Sequence, residues 1–237
     1  MKELLYQKAK EIGIELDSHQ LDQFEHYYHI LIETNKVMNL TAITDEEEVI
    51  DKHFIDSLSV VRCMDLEKAE CLIDVGTGAG FPGIPLKIVF PHLKVTLLDS
   101  LNKRVNFLNQ VINKLMFDKI NAVHARAEDA ARDRTMREAY DLCVSRAVAD
   151  LSVLCEYCLP FVKVGGTFVS YKSKGAADEV KKASKAIKVL GGGQADQYPF
   201  ELPGTDLSRT LVRIEKTLST PRKYPRKAGT PSKTPIR

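Results

Sequence analysis

The chain has 237 residues, 44% hydrophobic and 28% charged, enough apolar material to bury one large core with a small appendage. No apolar run reaches the roughly 20 residues of a membrane span, and the opening MKELLYQKAKEIGIEL interleaves charges with apolar side chains, unlike a secretory leader, so the expected location is the cytoplasm. The net charge of +2 hides an asymmetry: residues 1–70 hold 16 acidic and 7 basic side chains, residues 71–237 hold 16 acidic and 27 basic.

Residues 1–69 read as a helical subdomain. Leu21, Phe24, Tyr28, Leu31 and Ile32 recur at helical spacing behind Ser18, a suitable N-cap. Thr44-Asp45-Glu46-Glu47 predicts a capping box that opens a second helix, with Val49, Ile50, Phe54 and Leu58 on one face. Glu46, Glu47 and Glu48 then complement the helix dipole and do not gather a metal. Asn39-Leu40-Thr41 matches a glycosylation sequon, which carries no weight without a secretion signal.

Residues 70–217 change character. Strands are predicted at 71–76, 94–100, 120–125, 140–147 and 166–172, with helical stretches at 102–116 and 148–162 between them. Such alternation is the mark of a parallel sheet with right-handed crossovers. A Lys-rich helix over 176–190, a turn at Gly191-Gly192-Gly193 and two further strands at 196–202 and 209–217 complete the expectation. The fold class is therefore α/β, a doubly wound, mostly parallel sheet of the Rossmann-like kind with an N-terminal helical extension. Residues 218–237 are rich in Pro, Lys and Arg and are expected to form a tail that does not fold alone. The seven Lys and Arg from Lys216 onward, with no Asp or Glu among them, either attract a polyanion or merely keep the protein soluble.

Cys63, Cys71, Cys143, Cys155 and Cys158 are odd in number and suggest no disulfide framework. Cys155-x-x-Cys158 lacks a second ligand pair, so packed, reduced thiols are expected, and no metal.

The segment Asp74-Val-Gly76-Thr-Gly78-Ala-Gly80-Phe-Pro-Gly83 follows a strand and opens a helix, the context in which a glycine loop has meaning. Glycines let the backbone turn sharply and approach a ligand closely. Asp99 ends the next strand, where a carboxylate can accept both hydroxyls of a ribose. Read as a dinucleotide motif, the run starts late, and Pro82 removes an amide donor that a pyrophosphate needs. Read as Asp-x-Gly-x-Gly-x-Gly it starts at the strand end, and Asp74 is expected to face the positive end of its ligand. That pattern favours S-adenosylmethionine, with Gly76, Gly78 and Asp99 as binding residues. Arg126-Ala127-Glu128-Asp129, after the third strand, falls where methyltransferases of this fold surround the adenine.

The fourth strand ends in Ser145-Arg146-Ala147. Enzymes that methylate exocyclic amines usually carry an Asn/Asp-Pro-Pro-aromatic motif there, and it is absent. Neither Cys143 nor Cys158 has a setting for covalent attack on cytosine. An acceptor that is already nucleophilic, such as guanine N7, needs neither device and chiefly needs alignment. Arg146 is the candidate catalytic residue, holding the methionyl carboxylate or the guanine O6 edge.

At these residues the chain resembles the RsmG (GidB) family of bacterial ribosomal RNA methyltransferases. The likeness runs through Asn39-Leu40-Thr41, Lys52-His53-Phe54-x-Asp56-Ser57-Leu58, Asp74 to Pro82, Asp99-Ser-x-x-Lys103-Arg104, Arg126-Ala127-Glu128, Ser145-Arg146-Ala147, Lys172 and the closing PRKYPRKAGTPSKTPI. Thr77 stands where the family often has Ala or Ser. The resemblance implies a class I fold and S-adenosylmethionine-dependent methylation of N7 of one guanine in 16S ribosomal RNA, in the 530 loop near the decoding site. It places cofactor contacts on Gly76, Phe81, Ala127, Glu128 and Arg146. His53, Lys172, Arg222, Lys223, Arg226 and Lys227 are candidates for RNA contact, although His53 suits a packed or capping role nearly as well. The implied partner is 16S ribosomal RNA or the small subunit, met by a monomer without a membrane. A small-molecule methyltransferase and a nicotinamide-dependent oxidoreductase are the alternatives. Removing the tail after Lys216 is expected to weaken RNA association and leave cofactor affinity intact.

Overall fold

The computed structural model describes residues 1–173 and 175–237. Two helices, α1 (Lys2–Glu11) and α2 (Ser18–Met38), lead into a helical run comprising α3 (Glu46–Val49), a π-helical turn at Ile50–Ile55 and α4 (Asp56–Leu58). Then come β1 (Cys71–Val75), α5 (Gly83–Val89), β2 (Lys94–Asp99), α6 (Asn102–Lys114), β3 (Ile120–His124), α7 (Ala127–Ala130), β4 (Tyr140–Arg146), α8 (Leu151–Cys158), β5 (Val162–Lys172), α9 (Ala176–Val189), β6 (Gly192–Glu201), β7 (Ser208–Lys216) and α10 (Thr230–Lys233). The strands form one seven-stranded sheet in the order β3-β2-β1-β4-β5-β7-β6. Strands β1 to β5 are parallel, and β7 runs antiparallel to both β5 and β6. The doubly wound, mostly parallel α/β sheet is thus present. Its chain order reverses between β1 and β4, so the crevice in which such folds bind ligands opens at the carboxyl ends of those two strands.

Each strand feeds both layers, because successive side chains point to opposite faces. Leu72, Leu97, Leu142 and Val169 join a core that includes Leu5, Phe24, Tyr27 and Phe54 from the N-terminal helices. Ile73, Leu98, Cys143 and Phe168 join the opposite core with α8 and α9. The helical run expected over 1–69 therefore shares its core with the sheet and, with α5 and α6, builds one of its two covering layers.

Three local expectations shift. The N-cap of α2 is Asp17, not Ser18: its carboxylate accepts from the Gln20 amide at 2.8 Å, and the Gln20 side chain accepts in turn from the Asp17 amide at 3.0 Å. The capping residue of α3 is Asp45, not Thr44, accepting from the Glu48 amide. In both cases an aspartate adjacent to the expected cap takes the role, since a charged acceptor suits the positive helix end better than a hydroxyl. Finally, β6 begins at Gly192, so two glycines assigned to a turn lie in the strand.

The C-terminal segment, expected not to fold alone, is packed against the domain. The Thr220 amide donates to Glu138, Arg137 donates to the carbonyls of Thr220 and Tyr224, and Arg132 donates to that of Pro225. Its start is fixed by Lys216, fully buried, which donates to the carbonyl of Leu159 and the hydroxyl of Thr220. Burial pulls the Lys216 ammonium down to about 8. Arginine and glutamate side chains of the main domain order this segment, with Tyr224 and Ile236 laid against its core, and composition does not reveal partners so far apart in the chain.

Candidate active site

The loop after β1 carries the first half of the site. Gly76 has φ +73°, and a Cβ there would lie 2.5 Å from Cγ2 of Val148, so only glycine allows the loop after β4 to close over it. At Gly83 a Cβ would meet Leu97 at 2.3 Å, and its amide is needed elsewhere. It donates to Oδ2 of Asp74 at 2.8 Å, and the Thr77 hydroxyl donates to the same oxygen at 2.6 Å. Asp74 therefore does not face the ligand as its position in the motif suggests; it is fully buried and ties the two ends of the loop together. Burial, only partly offset by these two hydrogen bonds, raises its carboxyl to about 7, and Oδ1 has no hydrogen-bond partner.

Asp99, at the end of β2, is 3% exposed. Its Oδ2 accepts from the Gly78 amide and its Oδ1 from the Leu101 amide, both at 2.9 Å, with Arg104 at 3.4 Å. A carboxylate offers about four lone-pair directions, so Asp99 retains acceptor capacity toward the cavity it borders. That cavity, of about 270 Å³, is lined by Gly76, Leu98, Asp99, Ala127, Glu128 and Val148 among others. The carboxyl ends of β1, β2 and β3 thus converge on one recess that contains a buried carboxylate and a glycine backbone. The donor set and the glycine cradle fit an adenosine whose ribose meets Asp99. Of the residues named from sequence, Gly76, Asp99, Ala127 and Glu128 line this recess, and Gly78 braces Asp99 from behind.

Arg146 borders a second cavity, of about 430 Å³, lined by Lys52, His53, Asp56, Tyr171, Lys172, Glu179 and Arg209 among others, while Phe81 lines neither cavity and packs behind His53 and Arg146. Ala147 borders this one and Val148 the first. Ala147 has φ +56°, a strained conformation of the type that gathers at functional sites. Arg146 donates to Asp56 at 2.8 Å and to the Lys52 carbonyl at 3.0 Å, with its other terminal nitrogen 3.3 Å from Nδ1 of His53. Its guanidinium lies 5.2 Å above the Phe81 ring. Arg146 is thus ion-paired, in a half-buried network and not at the surface.

Asp56 belongs to the segment that resembles the family, yet its role is not evident from sequence. It is buried and also accepts from Arg209 at 3.2 Å, so one carboxylate positions two arginines. The available signal was spacing, since His53 and Asp56 stand three apart on one helical face. His53 stacks on Phe81 with centroids 4.4 Å apart and rings 13° from parallel, and its Nε2 lies 2.9 Å from the Thr41 hydroxyl. Burial and the Arg146 charge push its imidazole down to about 3, so it is neutral at physiological pH and accepts from Arg146 through Nδ1. Tyr27 packs against Phe81 from α2 and donates to the Ala79 carbonyl at 2.5 Å, which anchors the glycine loop to the N-terminal helices.

The remaining candidates separate by exposure. Arg222, Lys223 and Lys227 are exposed. Lys172 is held by Glu179 at 2.7 Å and by the Ala149 carbonyl at 2.9 Å. Arg226 forms a forked pair with the buried Glu156, Nε to Oε1 at 2.9 Å and a terminal nitrogen to Oε2 at 2.6 Å. Among the described residues no group of three or more His, Cys, Asp or Glu converges to hold a metal, and no helix is long and apolar enough to cross a membrane.

This geometry has known counterparts. The family model described as GidB, rRNA small subunit methyltransferase G, matches residues 20–202. A ribosomal RNA small subunit methyltransferase G of Lachnoclostridium phytofermentans is 53% identical over 230 residues, covering 97% of this chain and 95% of that protein. A protein of the same description from Bacillus cereus is 52% identical over 227 residues, covering 96% and 95%. The solved S-adenosylmethionine-dependent O-methyltransferase of Thermotoga maritima shares the fold with a TM-score of 0.53 at 15% identity, over 81% of this chain and 72% of that one. PigF, solved with S-adenosylhomocysteine, does so with a TM-score of 0.53 at 15% identity, over 68% and 54%. These matches set aside the nicotinamide-dependent alternative: the chain belongs to the rRNA small subunit methyltransferase G family.

Proposed function

We propose that this protein transfers a methyl group from S-adenosylmethionine to N7 of a guanine in small-subunit ribosomal RNA, in the 530 loop. The observation that carries the reading is the pair of cavities flanking Ala147-Val148, one shaped for an adenosine and the other built around Arg146, with its carboxylates Asp56 and Glu179 already engaged by Arg146, Arg209 and Lys172. The cofactor supplies an electrophilic methyl on a sulfonium. Asp99 and the Gly76 backbone hold its ribose side, and the Ala127-Glu128 turn borders the adenine.

Guanine N7 bears a lone pair and no proton, so the acceptor needs orientation and not deprotonation. The second cavity is suited to that. Arginine is always charged and donates only, and Arg146, fixed by Asp56, His53 and the Lys52 carbonyl, presents a rigid cation toward the guanine O6 edge. The relatives' description as ribosomal RNA methyltransferases supports an RNA over a small metabolite as the acceptor. Exposed Arg222, Lys223 and Lys227 supply phosphate contacts. On this reading the protein acts as a monomer in the cytoplasm, in keeping with five unpaired thiols and with large exposed apolar residues that are few and scattered along the chain.

The test uses small subunits from cells that lack the enzyme, incubated with methyl-labelled S-adenosylmethionine. Label at a single guanine, at a site cleaved after borohydride reduction and aniline treatment, is the expected result. Label on another base or atom, or on free metabolites alone, would falsify the assignment.

A further inference from the structure

The anchors of the C-terminal segment run in one direction. Glu138 takes the Thr220 amide, Glu156 takes Arg226, and Glu128 Oε1 takes the Gly229 amide at 2.8 Å. The last of these acceptors is itself a lining residue of the 270 Å³ cavity, and Ser232 lines the same cavity beside Tyr157. Pro231 is buried against the domain between them, and Glu128 is 4% exposed and Glu156 1%. A solubilising end needs none of this.

We propose that residues 229–233 form a wall of the cofactor pocket, closing its adenine end, so that cofactor binding and docking of the C-terminal segment stabilise each other. The proposal rests on reading this cavity as the cofactor pocket. At about 270 Å³ the recess is slightly under the roughly 300–1,000 Å³ of typical small-molecule sites, as expected if its C-terminal wall is fully docked and shifts slightly on binding. Coupling of this kind is reciprocal: whatever the segment contributes to cofactor affinity, the cofactor returns to the segment's docking. This outcome is opposite to the sequence expectation that the tail and the cofactor are independent.

Gly229 offers a clean variant. It has φ +81° and open space around its Cβ position, so Gly229→Val meets no clash at Cβ and acts by opposing the backbone conformation that aims the amide at Glu128. Calorimetry with S-adenosylhomocysteine should show binding by the wild type and about tenfold weaker binding by G229V, the scale of one missing hydrogen bond to a charged acceptor. Equal affinities would overturn the wall and leave the cavity assignment standing; no binding by the wild type would overturn both. A second measurement needs no variant. Trypsin cleavage of the wild type after Lys227 and Lys233 should slow several-fold when S-adenosylhomocysteine is present, and an unchanged rate refutes the coupling.

Discussion

Asp74 shows how much a single side chain's direction matters. In sequence it is the acid at the head of a cofactor loop; in the structure it points into the protein and holds Thr77 and Gly83. Its carboxyl is raised from 3.8 to about 7. A group whose folded-state value lies above its unfolded value contributes stability that is present below the unfolded value, here near 3.8, and lost as pH rises through about 7. Asp74→Asn keeps an oxygen for both donors and removes the charge. Denaturant titrations should therefore show the variant gaining on the wild type from pH 5 to about pH 7 and levelling off above it; a constant difference throughout would show that Asp74 does not titrate in this range. His53 works in the other sense. Its imidazole falls from 6.5 to about 3, so its share of stability is lost as pH drops from 6.5 toward 3, which is why the Asp74 effect is read as a difference between proteins. At the same scale, the proposed role predicts that Arg146→Ala lowers turnover at least a hundredfold with cofactor affinity little changed, because Arg146 bonds to Asp56, Lys52 and His53 and lines the second cavity and not the first. Wild-type rates in that variant exclude the role. Asp99→Asn, whose single oxygen can keep the bond from Gly78 but not also that from Leu101, should weaken cofactor binding at least roughly tenfold by removing charge-assisted bonds.

At the scale of elements, the helix starts are the instructive cases. Ser18 and Thr44 are good capping residues by type, but each has an aspartate next to it, and composition cannot rank neighbours that differ by one position. The structure ranks them through geometry. Asp17 has extended backbone and reciprocal bonds with Gln20, while Ser18 is already helical. Asp17→Ala should therefore cost about 1 kcal/mol and Ser18→Ala almost nothing, read as midpoints in urea; the reverse order would return the cap to Ser18. The strands were more legible, since alternation of apolar side chains across a sheet is a local pattern, and β1 to β4 begin where their sequence runs begin. The start of β5 at Val162 and of β6 at Gly192 was hidden, because pairing with β4 and β7 extends both beyond their apolar stretches.

For the whole molecule, the charge asymmetry gains a location. Part of the basic excess makes contacts within the molecule: Arg132, Arg137 and Arg226 hold the C-terminal segment against the domain. Arg222, Lys223 and Lys227 remain on the outside. Reversing these three to Glu should reduce RNA affinity and lower the slope of log affinity against log salt by about 0.7 for each phosphate of single-stranded RNA that is no longer neutralised, with thermal stability unchanged. Arg226→Glu should instead destabilise the fold, as it would place a second carboxylate against buried Glu156. An RNA affinity that does not fall with salt contradicts a phosphate-binding surface altogether.

By itself the amino-acid sequence determined the sheet's composition, the glycine loop at the end of β1, the carboxylate at the end of β2 and the arginine at the end of β4. Each is a pattern over a few neighbouring residues, set by backbone periodicity and the conformational demands of glycine. Only the tertiary structure decided which way Asp74 points, that Asp56 pairs with both Arg146 and Arg209, and that the C-terminal segment lies against the cavity beside Asp99. Those outcomes depend on partners such as Glu128 and Gly229, about a hundred positions apart in the chain, whose meeting is a property of the folded core and leaves no trace in local composition.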